Sequence, residues 1–255
     1  MAVIKIFINS IFINSVFTII MLNIYSYSAY GKNIDSSKNS NPNKVYPDMR
    51  EKIIAIEDAQ DKEKSVLKLK AAKISFPLSK EDKELIAMMK EIVVDLGGVG
   101  LAAPQVNVSK NIATIYIPES SALLRNDVKP YPLHVIINAE YEPIESEGKY
   151  SDFEGCYSVK SVMGKVPRYN AIKVTYQNEE GELITKVERG FYARVLQHEI
   201  DHLNGLLITD RLTPDCVQGT FEEMLKIRRQ ELPEEKRALF DELILKKGIK
   251  QHEKQ

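Results

Sequence analysis

A chain of 255 residues suits one ordinary domain with appendages. With 44% hydrophobic and 28% charged residues, the balance is globular rather than disordered. The net charge of −1 gives no electrostatic ground for a nucleic-acid partner, and two cysteines are too few for a disulfide framework.

The chain opens with Lys5 followed by IFINSIFINSVFTIIML (Ile6–Leu22) and then the small-residue stretch SYSAYG (Ser26–Gly31). No acidic residue precedes Asp35 and no arginine precedes Arg50. Residues 1–30 are therefore expected to be a signal peptide or an N-terminal membrane anchor. That implies membrane contact and a secretory, periplasmic or membrane-associated location. The structural alternative is a buried N-terminal strand or helix; the alternative location is an organelle lumen or the cytoplasm. Residues 31–46 are polar and without apolar period, as a linker is.

From Ser79 the pattern becomes helical. Leu85, Ile86, Met89, Ile92, Val93 and Leu96 recur at three- and four-residue steps, with Ser79 placed to cap the start and Gly97 to end it. Strands are predicted at Ile112–Ile117, His134–Ile144, Ala171–Gln177 and Glu182–Glu188, the last two joined by the tight turn NEEG. FYARVLQHEIDHLNG reads as a helix stopped by Gly205, and two amphipathic helices follow at Thr220–Gln230 and Pro233–Gly248. The expected class is α+β, with mostly antiparallel strands around a central motif-bearing helix. Residues 47–215 would form the catalytic domain and 216–255 a helical extension.

The motif on that central helix is H-E-x-x-H. Residues four apart share a helix face, so His198 and His202 can converge on one cation, with Glu199 beside them as general base. Two acidic side chains and two histidines on a solvated helix would be the plainer alternative. The third ligand decides between enzymes. A metzincin needs histidine at position 208, where this chain has Ile208. A thermolysin-like metallopeptidase would use Glu222 or Glu223. Cys156, in FEGCYSV, is the better candidate, because a thiolate with two imidazoles leaves a fourth position for water. A third stretch, GGVGLAAPQV (Gly97–Val106), brings a thin glycine backbone and Gln105, whose amide suits a developing oxyanion.

Together, Gly98–Gln105, Glu154–Ser158 and Gln197–His202 resemble the three ordered signatures of the peptide deformylases, within a likeness running from Val66 to Thr213. The resemblance implies removal of the formyl group from N-formyl-methionyl peptides. It makes Cys156, His198 and His202 ligands of one divalent metal, Fe2+ before Zn2+ or Ni2+, and Glu199 the general acid/base. Gln105 and the Tyr157 amide would bind the oxyanion, while Val99 and Gly100 would contact the substrate backbone. Tyr157 stands where leucine is usual in the family. Arg194, where many members carry an apolar pocket residue, is expected either to pair with a carboxylate or to extend along the substrate pocket. The second is the expectation adopted here. A deformylase-like binding protein without turnover is the non-enzymatic alternative. Nothing in the sequence fixes the oligomeric state.

Overall fold

The computed structural model describes residues 52–252 except 120, 122–124 and 126–127. The signal or anchor expected in residues 1–30 and the linker of 31–46 lie outside the described residues.

Ser79 accepts a hydrogen bond from the Asp82 amide, and Asp82 accepts one from the Ser79 amide. This capping box starts helix α1 (Lys80–Asp95) by satisfying amides the first turn leaves open. Past its end, Gly97 adopts φ 60°, a conformation open to glycine at little cost. The expected apolar stripe of α1 is buried from Leu85 to Val93.

A five-stranded antiparallel sheet has the order β1-β2-β3-β6-β7. Its strands are β1 (Gly100–Ala102), β2 (Ile112–Ile117), β3 (Tyr131–Pro143), β6 (Ala171–Gln177) and β7 (Leu183–Arg189). A second sheet, in the order β4-β5-β8, contains the hairpin of β4 (Lys149–Cys156) and β5 (Val159–Tyr169) with the short β8 (Gln218–Gly219). Helix α2 (Gly190–Leu203) follows β7, and α3 (Phe221–Glu231) and α4 (Glu234–His252) end the chain.

Both faces of the larger sheet are covered at β2, which explains why IATIYI shows no polar alternation. Ala113, Ile115 and Ile117 of β2 pack with Ala193, Leu196 and Ile200 of α2. Ile112 of the same strand packs with Ile86, Met89 and Ile92 of α1 on the opposite face. Strand β3 divides likewise, with Ile136 toward α2 and Val135 and Ile137 toward α1. At Asn138 (φ 54°) the strand bulges, and Ala139 joins Ile136 in the core beneath α2. The Asn138 side chain accepts from the Ile74 amide and donates to Ile74 O and Gln177 Oε1, replacing bonds the bulge removes from the ladder.

The predicted strands and helices reappear with shifts at their ends. The β4–β5 hairpin, β1 and β8 are additions that the sequence reading did not contain.

Candidate metal centre

Helix α2 lies between the two sheets, so it has almost no solvent face. From Tyr192 to Leu203 every residue except His198 is buried. Its apolar side faces the large sheet; Arg194, His198, Asp201 and His202 meet groups of the hairpin and its surroundings.

Where α2 meets the end of β4, the Cys156, His198 and His202 ligand atoms lie within 4.8 Å of one another. Cys156 Sγ is 3.3 Å from His202 Nε2. His198 places Nδ1 at 2.9 Å from Glu154 Oε2, which leaves Nε2 as its ligand atom. The two imidazoles stand edge to face, their centroids 4.9 Å apart. A thiolate with two imidazoles, one held by a carboxylate through its far nitrogen, is a donor set for Zn2+ or Fe2+ with a coordination position to spare. The residues present therefore fit a divalent metal.

The electrostatics agree. Burial alone would lower the His198 pKa, but Cys156 and Glu154 push it well above the ordinary value. A field that holds a proton there also favours a cation in its place. His202 is pushed well below its ordinary value by burial and by the charges of His198 and Arg168, so it stands as a neutral donor.

Glu199 is 3% exposed, and its Oε2 is buried with no hydrogen-bond partner in the protein. Burial raises its carboxyl to about 7; His198 opposes this, Glu154 adds to it, and Arg168 opposes it. That value suits a group that must both take and give a proton near neutrality. Gly100 makes this placement possible: a Cβ there would lie 2.3 Å from Glu199 Oε1.

Gln105 is buried, and its Oε1 accepts from the Ala102 amide at 2.8 Å. This turns Nε2 toward Cys156 Sγ (3.7 Å) and Ser158 Oγ (3.4 Å). The donor expected at the oxyanion position thus points at Cys156, a candidate metal ligand. Tyr157 occupies the turn between β4 and β5, directly after Cys156. Its ring lies over Gly98 and its hydroxyl donates to Leu96 O at 3.2 Å, so the side chain spans from the hairpin to the end of α1. Val99, just before β1, is half-buried, and its carbonyl accepts from the Tyr116 amide.

Two expectations need correction. Arg194 does not extend along an open pocket: it is 2% exposed and donates to Glu154 Oε1 at 2.6 Å. Its guanidinium also bonds Val166 O and Tyr150 O and lies over the Tyr150 ring. A cation this deep needs a carboxylate, and Glu154 supplies it, so Arg194 is paired inside the protein rather than extended along a pocket. The thermolysin-like alternative fails on α3, where Glu223 closes the helix cap with Thr220 and Glu222 is exposed. Among the described residues, no trio of ligands other than Cys156, His198 and His202 converges.

The sequence reading also missed the residues that hold this centre. Glu154 accepts from Arg168 Nε (3.1 Å) and Nη2 (2.9 Å) as well as from Arg194 and His198. Arg168 bonds Asp201 too, and Asp201 is held in turn by Arg211 at 2.5 Å. Burial would raise the Glu154 carboxyl, but Arg168 and His198 hold it well below the usual carboxylate range. Glu154 stands two residues before Cys156, and Asp201 lies between the histidines. That adjacency was the available signal; Arg168 carried none beyond its place in KVPRY.

Comparison with known proteins gives one answer. A sequence profile of the polypeptide deformylases matches residues 52–218. Peptide deformylase 2 of Rickettsia conorii is 35% identical over 184 residues, covering 71% of this chain and 90% of that protein. A peptide deformylase of Limosilactobacillus reuteri is 42% identical over 59% of this chain and 86% of its own length. The Met-Ala-Ser-bound class I type b peptide deformylase of Acinetobacter baumannii superposes with TM-score 0.54 and 33% identity, over 63% of this chain and 96% of that one. The Thermotoga maritima peptide deformylase structure gives TM-score 0.51 and 33% identity, over 64% and 97%. With the profile spanning most of the chain and the relatives covered nearly whole, this chain belongs to the polypeptide deformylase family.

Proposed function

We propose that this protein removes the N-formyl group from N-formyl-methionyl peptides, releasing formate, with one divalent metal, Fe2+ before Zn2+ or Ni2+. The observation carrying this is the buried Glu199 carboxylate, pressed against Gly100 beside the Cys156, His198 and His202 donors. When bound, a divalent cation supplies Lewis-acid polarisation of the formyl carbonyl and acidifies a water nucleophile. Glu199 accepts the proton of the attacking water and returns it to the amine as the formyl C–N bond breaks. Gln105 Nε2, fixed through its own carbonyl, donates to the oxyanion that develops, and the Tyr157 amide is assigned the second donor. Among the described residues strand β1 pairs only with β2, so its outer edge offers Gly100 and the adjoining Val99 to an extended peptide backbone. Glu199 and Gln105 are buried, which strengthens the contacts they make.

The test is formate release from formyl-Met-Ala-Ser by anaerobically purified protein of known metal content. Glu199→Gln is expected to keep the metal and lose about 10²–10⁴-fold in turnover. Activity within a few-fold of wild type would remove Glu199 from the mechanism. Iron found at about one per chain supports Fe2+; zinc alone, with full activity, argues for zinc.

Residues 1–30 are proposed to direct the chain to a membrane or a secretory route, on the strength of their apolar core behind Lys5. Fused to a reporter, they should send it out of the cytosol; an uncleaved, soluble cytosolic reporter sinks the idea.

A further inference from the structure

We infer that Arg194 is a positioning residue for the metal centre, acting on His198 through the carboxylate they share. The inference rests on the metal-site reading above and goes beyond it in assigning a part to a residue that touches neither metal nor substrate.

Arg194 and His198 are one helical turn apart on α2, and both end on Glu154. The carboxylate is saturated by donors of different kinds. Oε1 takes Arg168 Nε and Arg194 Nη1; Oε2 takes Arg168 Nη2 and His198 Nδ1. Arg168 is divided, since it also bonds Asp201. Among the described residues Arg194 has no second carboxylate partner: its other hydrogen bonds go to the backbone oxygens of Val166 and Tyr150. These tie the guanidinium to β4 and β5 at once. Its fork therefore fixes where Glu154 Oε1 sits relative to both strands, and with it the plane of the carboxylate. That plane sets the direction from which His198 Nδ1 is held, and hence where Nε2 points.

A lysine could carry the charge without this geometry. One ammonium has no planar fork with which to meet Glu154, Val166 O and Tyr150 O from fixed directions. Arg194 thus differs from an ion pair that merely neutralises Glu154. Outer partners of a metal-bound histidine typically contribute about 10–100-fold to metal affinity or activity.

The experiment loads wild type, Arg194→Met, Arg194→Lys and Ile86→Ala with Zn2+ and follows metal release to a chromophoric chelator. Ile86 stands on the buried face of α1, in the core cluster away from α2, and serves as a control that lowers stability through the fold alone. The positioning role predicts release about ten-fold faster in Arg194→Met and intermediate in Arg194→Lys, with Ile86→Ala near wild type at a comparable loss in Tm. The ranking of formyl-Met, formyl-Gln and formyl-Glu peptides by kcat/KM should not change, because the guanidinium is buried against Glu154, Val166 O and Tyr150 O. If Arg194→Met yields too little folded protein, Arg194→Lys carries the comparison alone. Release matching Ile86→Ala at matched Tm loss would overturn the proposal and leave Arg194 a structural ion pair. A changed substrate ranking would overturn it in favour of a pocket role. Wild type that fails to retain Zn2+ or Fe2+ refutes the metal-site reading itself, and does so before any variant is compared.

Discussion

Between α1 and α2 the large sheet buries Ile112, Ile115, Ile136 and Ile172, side chains that need only fit. On the other side of α2, β4 and β5 bury Glu154 and Arg168, which must also be paired. Apolar burial is forgiving of direction and rewards area, so the first region supplies stability. Charge burial tolerates no missing partner, so the second region supplies fixed directions at a cost in desolvation. The metal centre sits where the two meet, on a helix stabilised by the first and aimed by the second.

The sharpest break between them is at the ligand. Cys156→Ser should release most of the metal and abolish deformylation, since a neutral hydroxyl does not replace a thiolate. Glu223→Gln should leave both intact, as Glu223 serves the α3 cap. Full metal in the Cys156 variant would refute the ligand assignment.

A second comparison pits the regions directly. Arg168→Met leaves Glu154 and Asp201 short of their shared cation and should cost about 3–5 kcal/mol. Ile136→Ala leaves a cavity under α2 and should cost about 2–5 kcal/mol. Similar losses in urea midpoint should therefore come with different chemistry: the Arg168 variant loses metal in the folded state, and the Ile136 variant keeps it. Equal metal retention would show that the hairpin charges do not aim the site.

The smallest effect is a pH dependence on the hairpin's outer side. Glu57 Oε1 accepts from the Lys160 and Ser161 amides, each at 2.9 Å. Burial opposes ionisation, yet hydrogen bonds from Ser161 and Lys160 lower its carboxyl from 4.5 to about 2. A depressed folded-state pKa means that the stabilisation is present above 4.5 and is lost as pH falls toward 2. The stability gap between wild type and Glu57→Gln should accordingly close across that interval. A gap constant with pH would place the contribution outside the carboxylate's charge.

The same contrast explains what could be read from the sequence. Helix α1 was legible because Ser79, the apolar stripe and Gly97 all agree, and β6–β7 because Gly181 (φ 86°) supplies the turn that NEEG announces. The hairpin was not, because strand patterns are recognised by apolar alternation and two of its buried positions hold Glu154 and Arg168. The candidate ligands were legible because H-E-x-x-H spacing pairs His198 with His202, while thiolate chemistry and the family resemblance add Cys156. The partner of Arg194 did not, since pairing α2 with β4 requires the tertiary fold; periodicity placed Arg194 on the histidine face but could not say which carboxylate stood opposite.

The near-total enclosure of α2 bears on how the protein matures. A helix of this length is marginal by itself, and this one holds Arg194, Glu199 and Asp201 among its buried residues. It can persist only once both sheets close around it, and Cys156 comes from a hairpin made earlier in the chain. An incomplete chain emerging from the ribosome before residue 198 lacks both histidines, and one released but not yet collapsed has no converged donors. Metal acquisition is thus a late event in biogenesis, gated by tertiary closure. A stalled or truncated product would be a poor scavenger of metal.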